Sequence, residues 1–434
     1  MDPVAVGILG LAVLIFLFTI EVPVSFAMII VGIAGFGYLV SPQAALSMLA
    51  MDLFENFSNY NLIVIPMFVF MGCLAFEIGM SQTLFDASHA LFGKVRGGLA
   101  MATIMACAGF AAISGSTNAT AAAMGAVSLP HMKRYGYDDS LATGSVAAAG
   151  SLGILIPPSA LLIVFGILTE ESIGKLFIAG ILPGILLAGL FVLTVAIISA
   201  RNPALAPPGE PTTLRQKAKA ILAAGEVLII FAFVLGGLFT GWFSPTQAGG
   251  AGAAGVLILG LIRRKLSLKA FVAAGKDTLL ITCMVMFIVA GAMIFGHFIA
   301  VTESPFQLSD WVRGLDLPPM MIMALIVLIH LIGGCFMDGF ALIVLTVPIL
   351  LPLVKSLGVD IYWFGIIIVL IVEMGTITPP VGVNVYVIKG VAGDVPLETI
   401  FKGIFPFLFA LIVGVAILMT FPQIATFLPS FTSY

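Results

Sequence analysis

The sequence predicts an all-α polytopic membrane protein built as an inverted repeat, with two re-entrant helical hairpins and two broken transmembrane helices. Three observations predict it. The 434 residues are 61% hydrophobic and only 9% charged, with a mean hydropathy of +1.21, whereas a soluble chain carries about a quarter charged residues. Apolar runs of about 20 residues, the length that crosses a hydrocarbon core, recur from end to end. Finally, shifting the sequence by 222 positions superimposes its prolines, glycines and charges. A β-barrel would show short alternating segments, and none is present.

Simple apolar spans fall at 4–20, 22–40, 60–79, 139–169, 176–200, 219–241, 246–262, 278–301, 361–391 and 403–428. The first is preceded by Asp2 and Pro3 rather than basic residues and lacks a small-residue cleavage site, so a retained helix is expected and not a signal peptide. Segments 98–131 and 319–354 are too long for one span and carry small or polar residues near their middles, SGSTN at 114–118 and GGCFMDG at 333–339. At 1.5 Å per residue each can supply two half-helices that enter, turn at mid-depth and leave on the same side.

Charge placement tests this arrangement. With ten crossings and two hairpins, 15 of the 18 basic residues fall on one side; only Lys175, Arg313 and Lys355 fall on the other. The positive-inside rule makes the first side cytoplasmic and both termini external. Treating either hairpin as a simple span scrambles the sorting. The polar stretch 201–219 is the main cytoplasmic connector. Amphipathic pieces near 82–92 and 266–276 are expected to lie along the membrane surface as arms. The chain thus divides into N-terminal helices (1–81), a first repeat (82–200), a connector with further helices and the second arm (201–276), and a second repeat (277–434).

In the repeat, Pro130 meets Pro352, Lys133 meets Lys355, Gly136 meets Gly358, Asp138 meets Asp360 and Gly153 meets Gly375. Pro157 and Pro158 meet Pro379 and Pro380. One residue of slippage later, GILP (180–183) aligns with GIFP (403–406). Because the first hairpin opens to the cytoplasm and the second to the outside, the repeats are inverted, an architecture common among secondary transporters, whose sites form at discontinuous helices. A proline pair alone fits a packed kink as well as a site. Duplicated beside two polar hairpin tips, it favours a site, because irregular backbone at membrane depth is tolerated where it lines a cavity or is buried in protein. Unwinding near Gly375–Pro380 frees carbonyl oxygens suited to a hard cation such as sodium, while half-helix N-termini favour an anion.

The first tip, Ser114-Gly115-Ser116-Thr117-Asn118 followed by Thr120, offers hydroxyls, an amide and exposed backbone opposite Ser151–Ser159. Small-residue helix packing uses the same residue types, but five in a row including Asn favour a site. Asp338 is the leading candidate in the second half: an intramembrane carboxylate is a functional hypothesis by default. Beside Gly334, Gly339 and the carbonyls of 375–379 it is placed to ligate sodium. Glu373 either binds a cation or proton or accepts from unwound backbone. Ser159 and Asn384, each following a proline pair, are candidates to hydrogen-bond a substrate. His89, His131, His297 and His330 have no ligand spacing, and Cys73, Cys107, Cys283 and Cys335 lack metal-type spacing. Trp242, Trp311 and Trp363 fall near span ends, as interfacial anchors do. There is no Walker loop, so ATP is not used by this chain, and no HExxH or GxSxG motif of an intramembrane enzyme. No basic tract points to nucleic acid.

The stretches IPMFVFMGCLAFEIGM (65–80), GGLAMATIMACAGFAAISGSTNATAAAMG (97–125), GYDDSLATGSVAAAGSLGILIPPS (136–159), SIGKLFIAGILPG (172–184), GWFSPTQAGG (241–250) and GTITPPVGVNVYV (375–387) resemble the large membrane subunit (M subunit, DctM-like) of tripartite ATP-independent periplasmic (TRAP) transporters. The resemblance covers nearly the whole chain. It implies a sodium-driven importer of small organic anions in a bacterial or archaeal inner membrane, with a soluble periplasmic binding protein delivering substrate and a small four-helix membrane subunit bracing the large one. It further implies an elevator, in which hairpins and broken helices form a mobile transport domain and the remaining helices a scaffold. By resemblance, one sodium sits at Ser114, Gly115, Ser151, Ile154 and Pro157. A second sits at Gly334, Asp338, Gly375, Thr376, Thr378 and Pro379, with substrate near Ser114, Ser116, Asn118, Thr120 and Ser159. No four-helix region precedes the first repeat, so the small subunit is expected as a separate chain. Thr117-Asn118 stands where many relatives have smaller residues, which points to a different head group, for instance a sulfonate.

Two other readings compete. A stand-alone sodium/anion symporter would need no binding protein. A non-transporting membrane assembly or enzyme subunit would retain full activity after Asp338→Ala.

Overall fold

The computed structural model describes residues 2–209, 213–315 and 317–432. Those residues form helices, turns and loops, with no strand among them. Eight helices are long and apolar enough to cross a membrane, among them Ile173–Arg201, Leu214–Phe239, Leu268–Val301 and Leu397–Thr420. Shorter apolar helices include Pro3–Thr19 and Val24–Leu39.

The repeat seen in the sequence recurs as an order of elements. In the first half a helix pair, Gly98–Ser114 and Thr117–Arg134, precedes a broken helix, Asp139–Gly150, Leu152–Leu155 and Ala160–Thr169, and then Ile173–Arg201. In the second half Pro319–Gly334 and Gly339–Ser356 precede Ile361–Ile377 and Val383–Ala392, and then Leu397–Thr420. Each long segment with a polar middle is therefore two helices around a tight turn. The turns follow from local chemistry. Gly115 adopts φ +60°, which favours glycine, and Ser116 caps the next helix through Ala119 N–H. At the second turn Asp338 caps Gly339–Ser356, accepting from Phe340 N–H at 2.9 Å.

The halves interlock. The distal piece of the first broken helix, Ala160–Thr169, packs on Gly339–Ser356, and that of the second, Val383–Ala392, packs on Thr117–Arg134. Asp139–Gly150 lies along Leu397–Thr420, where Gly144 and Gly403 bring the two backbones together. His330 joins the arms of the second pair, its Nδ1 bonded to the Ile326 carbonyl and its Nε2 to the Thr346 hydroxyl, each at 2.8 Å. Tyr137, in the loop after the first pair, accepts from Leu99 N–H at 3.2 Å; burial pushes its phenol up to about 12, so it stays neutral.

Several sequence expectations are revised. Residues 268–301 form one continuous helix of 34 residues, so the amphipathic piece at 266–276 is not set off from the span that follows, whereas the earlier piece is a separate helix, Met80–Phe92. Helices Pro42–Ser58 and Ser304–Arg313 were not anticipated, because polar residues interrupt their apolar pattern. Trp242 and Trp311 are exposed, but Trp363 is buried and donates its indole N–H to the Leu418 carbonyl at 2.8 Å, so it anchors a helix contact and not an interface. Glu226 pairs with Arg263, 2.7 Å away at the C-terminal end of helix Pro245–Ile262.

A Cβ at Gly144 would run into the Gly403 backbone. Gly144→Ala is expected to destabilise the fold by about 1–3 kcal/mol through overpacking, read as a lower melting temperature of the detergent-purified chain. Gly189→Ala, at a helical position with open space around it, is the comparison that isolates the collision.

Candidate functional site

The two turns and the two breaks meet at one cavity of about 530 Å³. Its wall includes Ser114–Asn118 from the first tip, Asp338–Phe340 from the second, Ile154 and Thr376 from the broken helices, and faces of Val64–Glu77 and Leu268–Val301. Residues more than 200 positions apart in the chain thus share a surface. The volume is within the range of small-molecule sites.

The breaks have a simple cause. In a continuous helix the carbonyls of Gly153 and Ile154 would accept from residues 157 and 158, and those of Gly375 and Thr376 from residues 379 and 380. All four of these acceptors face proline, which has no N–H. Both Pro–Pro bonds are cis. Partial repair is local: Thr378 N–H donates to the Gly375 carbonyl at 3.1 Å, and Ser159 restarts its helix by accepting from Leu162 N–H at 3.2 Å.

Each tip seats against a break. The Gly115 carbonyl accepts from Ala160 N–H at 3.4 Å, and a Cβ on Gly115 would lie 2.7 Å from the Pro158 carbonyl oxygen. Gly153 packs on the Ser116 carbonyl and the Thr120 hydroxyl. At the other tip Gly375 lies directly on Gly334, with no room for a side chain. The helix Val64–Glu77 joins the first contact, because Gly72 abuts the Ser114 backbone.

Of the residues singled out in the sequence, Ser114, Gly115, Ser116, Asn118, Ile154, Asp338 and Thr376 lie on the cavity wall. Thr120 sits behind it, fully buried, joined to Ser114 Oγ at 2.7 Å and donating to the Ser116 carbonyl at 2.8 Å. Ser151, Ser159 and Asn384 are also buried; Asn384 donates to the Ala147 carbonyl at 3.4 Å, tying the second broken helix to the first. Pro157, Gly334, Gly375, Thr378 and Pro379 build the breaks and their contacts without reaching the wall. Glu373 is fully buried, with the Ser151 side chain as its polar neighbour. Sequence reading missed Asp277, which lines the cavity from the long helix. The available signal was its spacing with Leu280, Ile281 and Met284 on one helical face.

The oxygens gathered here are hydroxyls, carbonyls freed by proline and two carboxylates, Asp277 and Asp338. All are hard donors of the kind that replace the hydration of a hard cation. A hollow between two helix pairs and two interrupted helices, in a chain of stacked apolar spans, defines a polytopic membrane transport protein. The comparisons name the family. The chain belongs to the family described as tripartite ATP-independent periplasmic transporter, DctM component, whose model matches residues 11–424. It is a large permease of that kind, a multi-pass inner-membrane protein and not an enzyme. It is 38% identical over 397 residues to the C4-dicarboxylate TRAP transporter large permease protein DctM of Pseudomonas aeruginosa, covering 90% of this chain and 91% of that one. It is 36% identical over 376 residues to the isethionate TRAP transporter permease protein DctMQ of Oleidesulfovibrio alaskensis, covering 86% of this chain but only 59% of that longer relative. The crystal structure of the Alcanivorax borkumensis YdaH transporter has the same fold, with a TM-score of 0.63 at 15% identity over 87% of this chain and 88% of that one.

Gly115→Ala adds both an unfavourable left-handed conformation and a Cβ against Pro158. The expected cost is about 1–3 kcal/mol, and displacement of the first tip should abolish uptake even where the protein still purifies as a folded particle.

Proposed function

We propose that this chain is the large transmembrane subunit of a sodium-coupled importer of a small organic acid, carboxylate or sulfonate, working with a small membrane subunit and a periplasmic binding protein. The observation that carries the reading is the single cavity formed by both tips and bordered by both breaks. Relatives named for C4-dicarboxylate and isethionate transport support the substrate class, and the family implies the two partners.

In this reading the helix pairs are re-entrant hairpins and, with the broken helices, form a mobile transport domain. The remaining helices form a scaffold against which that domain moves as an elevator. Sodium binds at each tip. In the first repeat Ser114, Gly115, Ser151, Ile154 and Pro157 supply hydroxyl and carbonyl oxygens. In the second, Asp338 adds a charge to the backbone of Gly334, Gly375 and Thr376 and to Thr378 and Pro379. Filling these sites holds each tip to its break and turns the N-terminal end of Thr117–Arg134, with Ser116 and Asn118, toward the acid group of the substrate. Thr120, Ser159 and Asn384 act from behind the wall, fixing the tip and the breaks.

Uptake into proteoliposomes carrying this chain and its small subunit tests the assignment. Uptake is expected only with both the binding protein and an inward sodium gradient; sodium-driven uptake without binding protein would point to a stand-alone symporter. Asp338→Asn keeps the helix cap, since Asn and Asp cap about equally well, and should purify folded. Its half-saturating sodium concentration should rise by about tenfold or more, the scale of losing one charge-assisted ligand. Unchanged sodium activation would remove Asp338 from the site.

A further inference from the structure

The contacts between the halves come in reciprocal pairs. Ala160–Thr169 packs on Gly339–Ser356, and its equivalent, Val383–Ala392, packs on Thr117–Arg134, the equivalent of Gly339–Ser356. Reciprocal contacts mark a two-fold relation, here an approximate one within a single chain. In such an arrangement a residue touches its own equivalent only where the axis passes. Ser151 and Glu373 are 222 positions apart, the shift that superimposes the halves, and their side chains are neighbours. Both are fully buried, and the short helix that follows Ser151, Leu152–Leu155, packs on Ile361–Ile377, which carries Glu373. A hydroxyl therefore meets a carboxyl on the axis between the halves.

Each of these two residues is tied to the cavity at the same spacing. The Ser151 carbonyl accepts from Ile154 N–H at 3.5 Å, and the Glu373 carbonyl accepts from the Thr376 hydroxyl at 2.8 Å. Ile154 and Thr376 are equivalent positions, and both stand on the cavity wall. Between them and the axis, Gly153 rests on Ser116 of the first tip and Gly375 on Gly334 of the second. A continuous line of packed groups thus joins the two tips through the Ser151–Glu373 contact, the kind of connection that can carry energetic coupling. Among the described residues Glu373 forms no ion pair, and it does not line the cavity. With no counter-charge beside it, the contact works through hydrogen bonding and not through charge.

We propose that Glu373 is a positioning residue that couples the two breaks, so that sodium held at one strengthens sodium binding at the other. This rests on the sodium sites proposed above and specifies how they communicate. A cation at the first break fixes Ser151 and the carbonyls around it. Through Ser151 the Glu373 side chain is fixed as well, and with it the turn that presents Gly375 and Thr376. The second cation then meets a site already ordered, which is positive cooperativity.

Equilibrium binding of radioactive sodium to the purified complex of large and small subunits, with choline holding ionic strength constant, tests the coupling. The wild type should bind with a Hill coefficient of about two and Glu373→Met with about one, at the same number of ions bound at saturation. Methionine is close to glutamate in volume, and Ser151 keeps its own bond to the Ala148 carbonyl, so the variant should fold. Glu373→Gln retains the hydrogen bond and should keep the wild-type coefficient. Glu373→Asp, too short to hold the contact, should lose it as Glu373→Met does, and gives the same reading should Glu373→Met fail to fold. A merely structural contact would lower the melting temperature of Glu373→Met and Glu373→Asp and leave their coefficients at the wild-type value. That result, or an equal fall in Glu373→Gln, overturns the proposal. Saturable wild-type binding without cooperativity overturns the coupling alone, whereas no saturable sodium binding in the wild type overturns the sodium reading on which it rests.

Discussion

Backbone groups in an apolar interior must find their partners within the protein, and two proline pairs prevent the surrounding helices from supplying them. Pro157-Pro158 and Pro379-Pro380 strip the helical donors from the carbonyls of Gly153, Ile154, Gly375 and Thr376. Leaving such groups buried and unsatisfied costs roughly 1–3 kcal/mol each. Much of the surrounding structure is organised around that shortage. Thr378 repairs part of it locally, Ser159 caps the helix that restarts, and a helix turn is pressed against each break.

Pressing two backbones together requires glycine on at least one side. Gly115 meets Pro158, Gly153 meets Ser116, and Gly375 meets Gly334. These contacts recur in both halves because the halves share one pattern of elements, whose helix ends correspond within three residues after the shift of 222. The exchange of distal broken-helix pieces, each packed on the other half's turn helix, then locks the two halves into one body. Breaks, turns and glycines are therefore one device, present twice.

The electrostatics of the cavity follow from what that device leaves exposed. Hydroxyls and carbonyls dominate the first tip, a carboxylate the second, and a further carboxylate enters from the long helix Leu268–Val301. A hollow of this kind is suited to cations, and the helix starts on its wall at Thr117, Ala160 and Val383, none of them capped by a charge, are suited to an acid group. Glu373 stands apart. It is fully enclosed at the place one step before the second break, and its polar neighbour is the hydroxyl of Ser151, the equivalent position of the first half.

The sequence by itself determined the class of fold, the repeat, the two turns and the two breaks, because each depends on local chemistry. Apolar length decides a span, proline removes a donor, glycine permits a turn, and these effects are readable within a dozen residues. It also pointed to Ser114, Asn118 and Asp338, polar groups conspicuous in apolar surroundings. Only the tertiary structure decided which of these share a wall, since Thr120, Ser159 and Asn384 differ from their neighbours by burial and not by type. It alone brought in Asp277 and turned Trp363 inward to the Leu418 carbonyl. Those outcomes depend on how helices hundreds of residues apart are rotated about their axes, and a 3.6-residue period specifies a face without specifying what that face will meet.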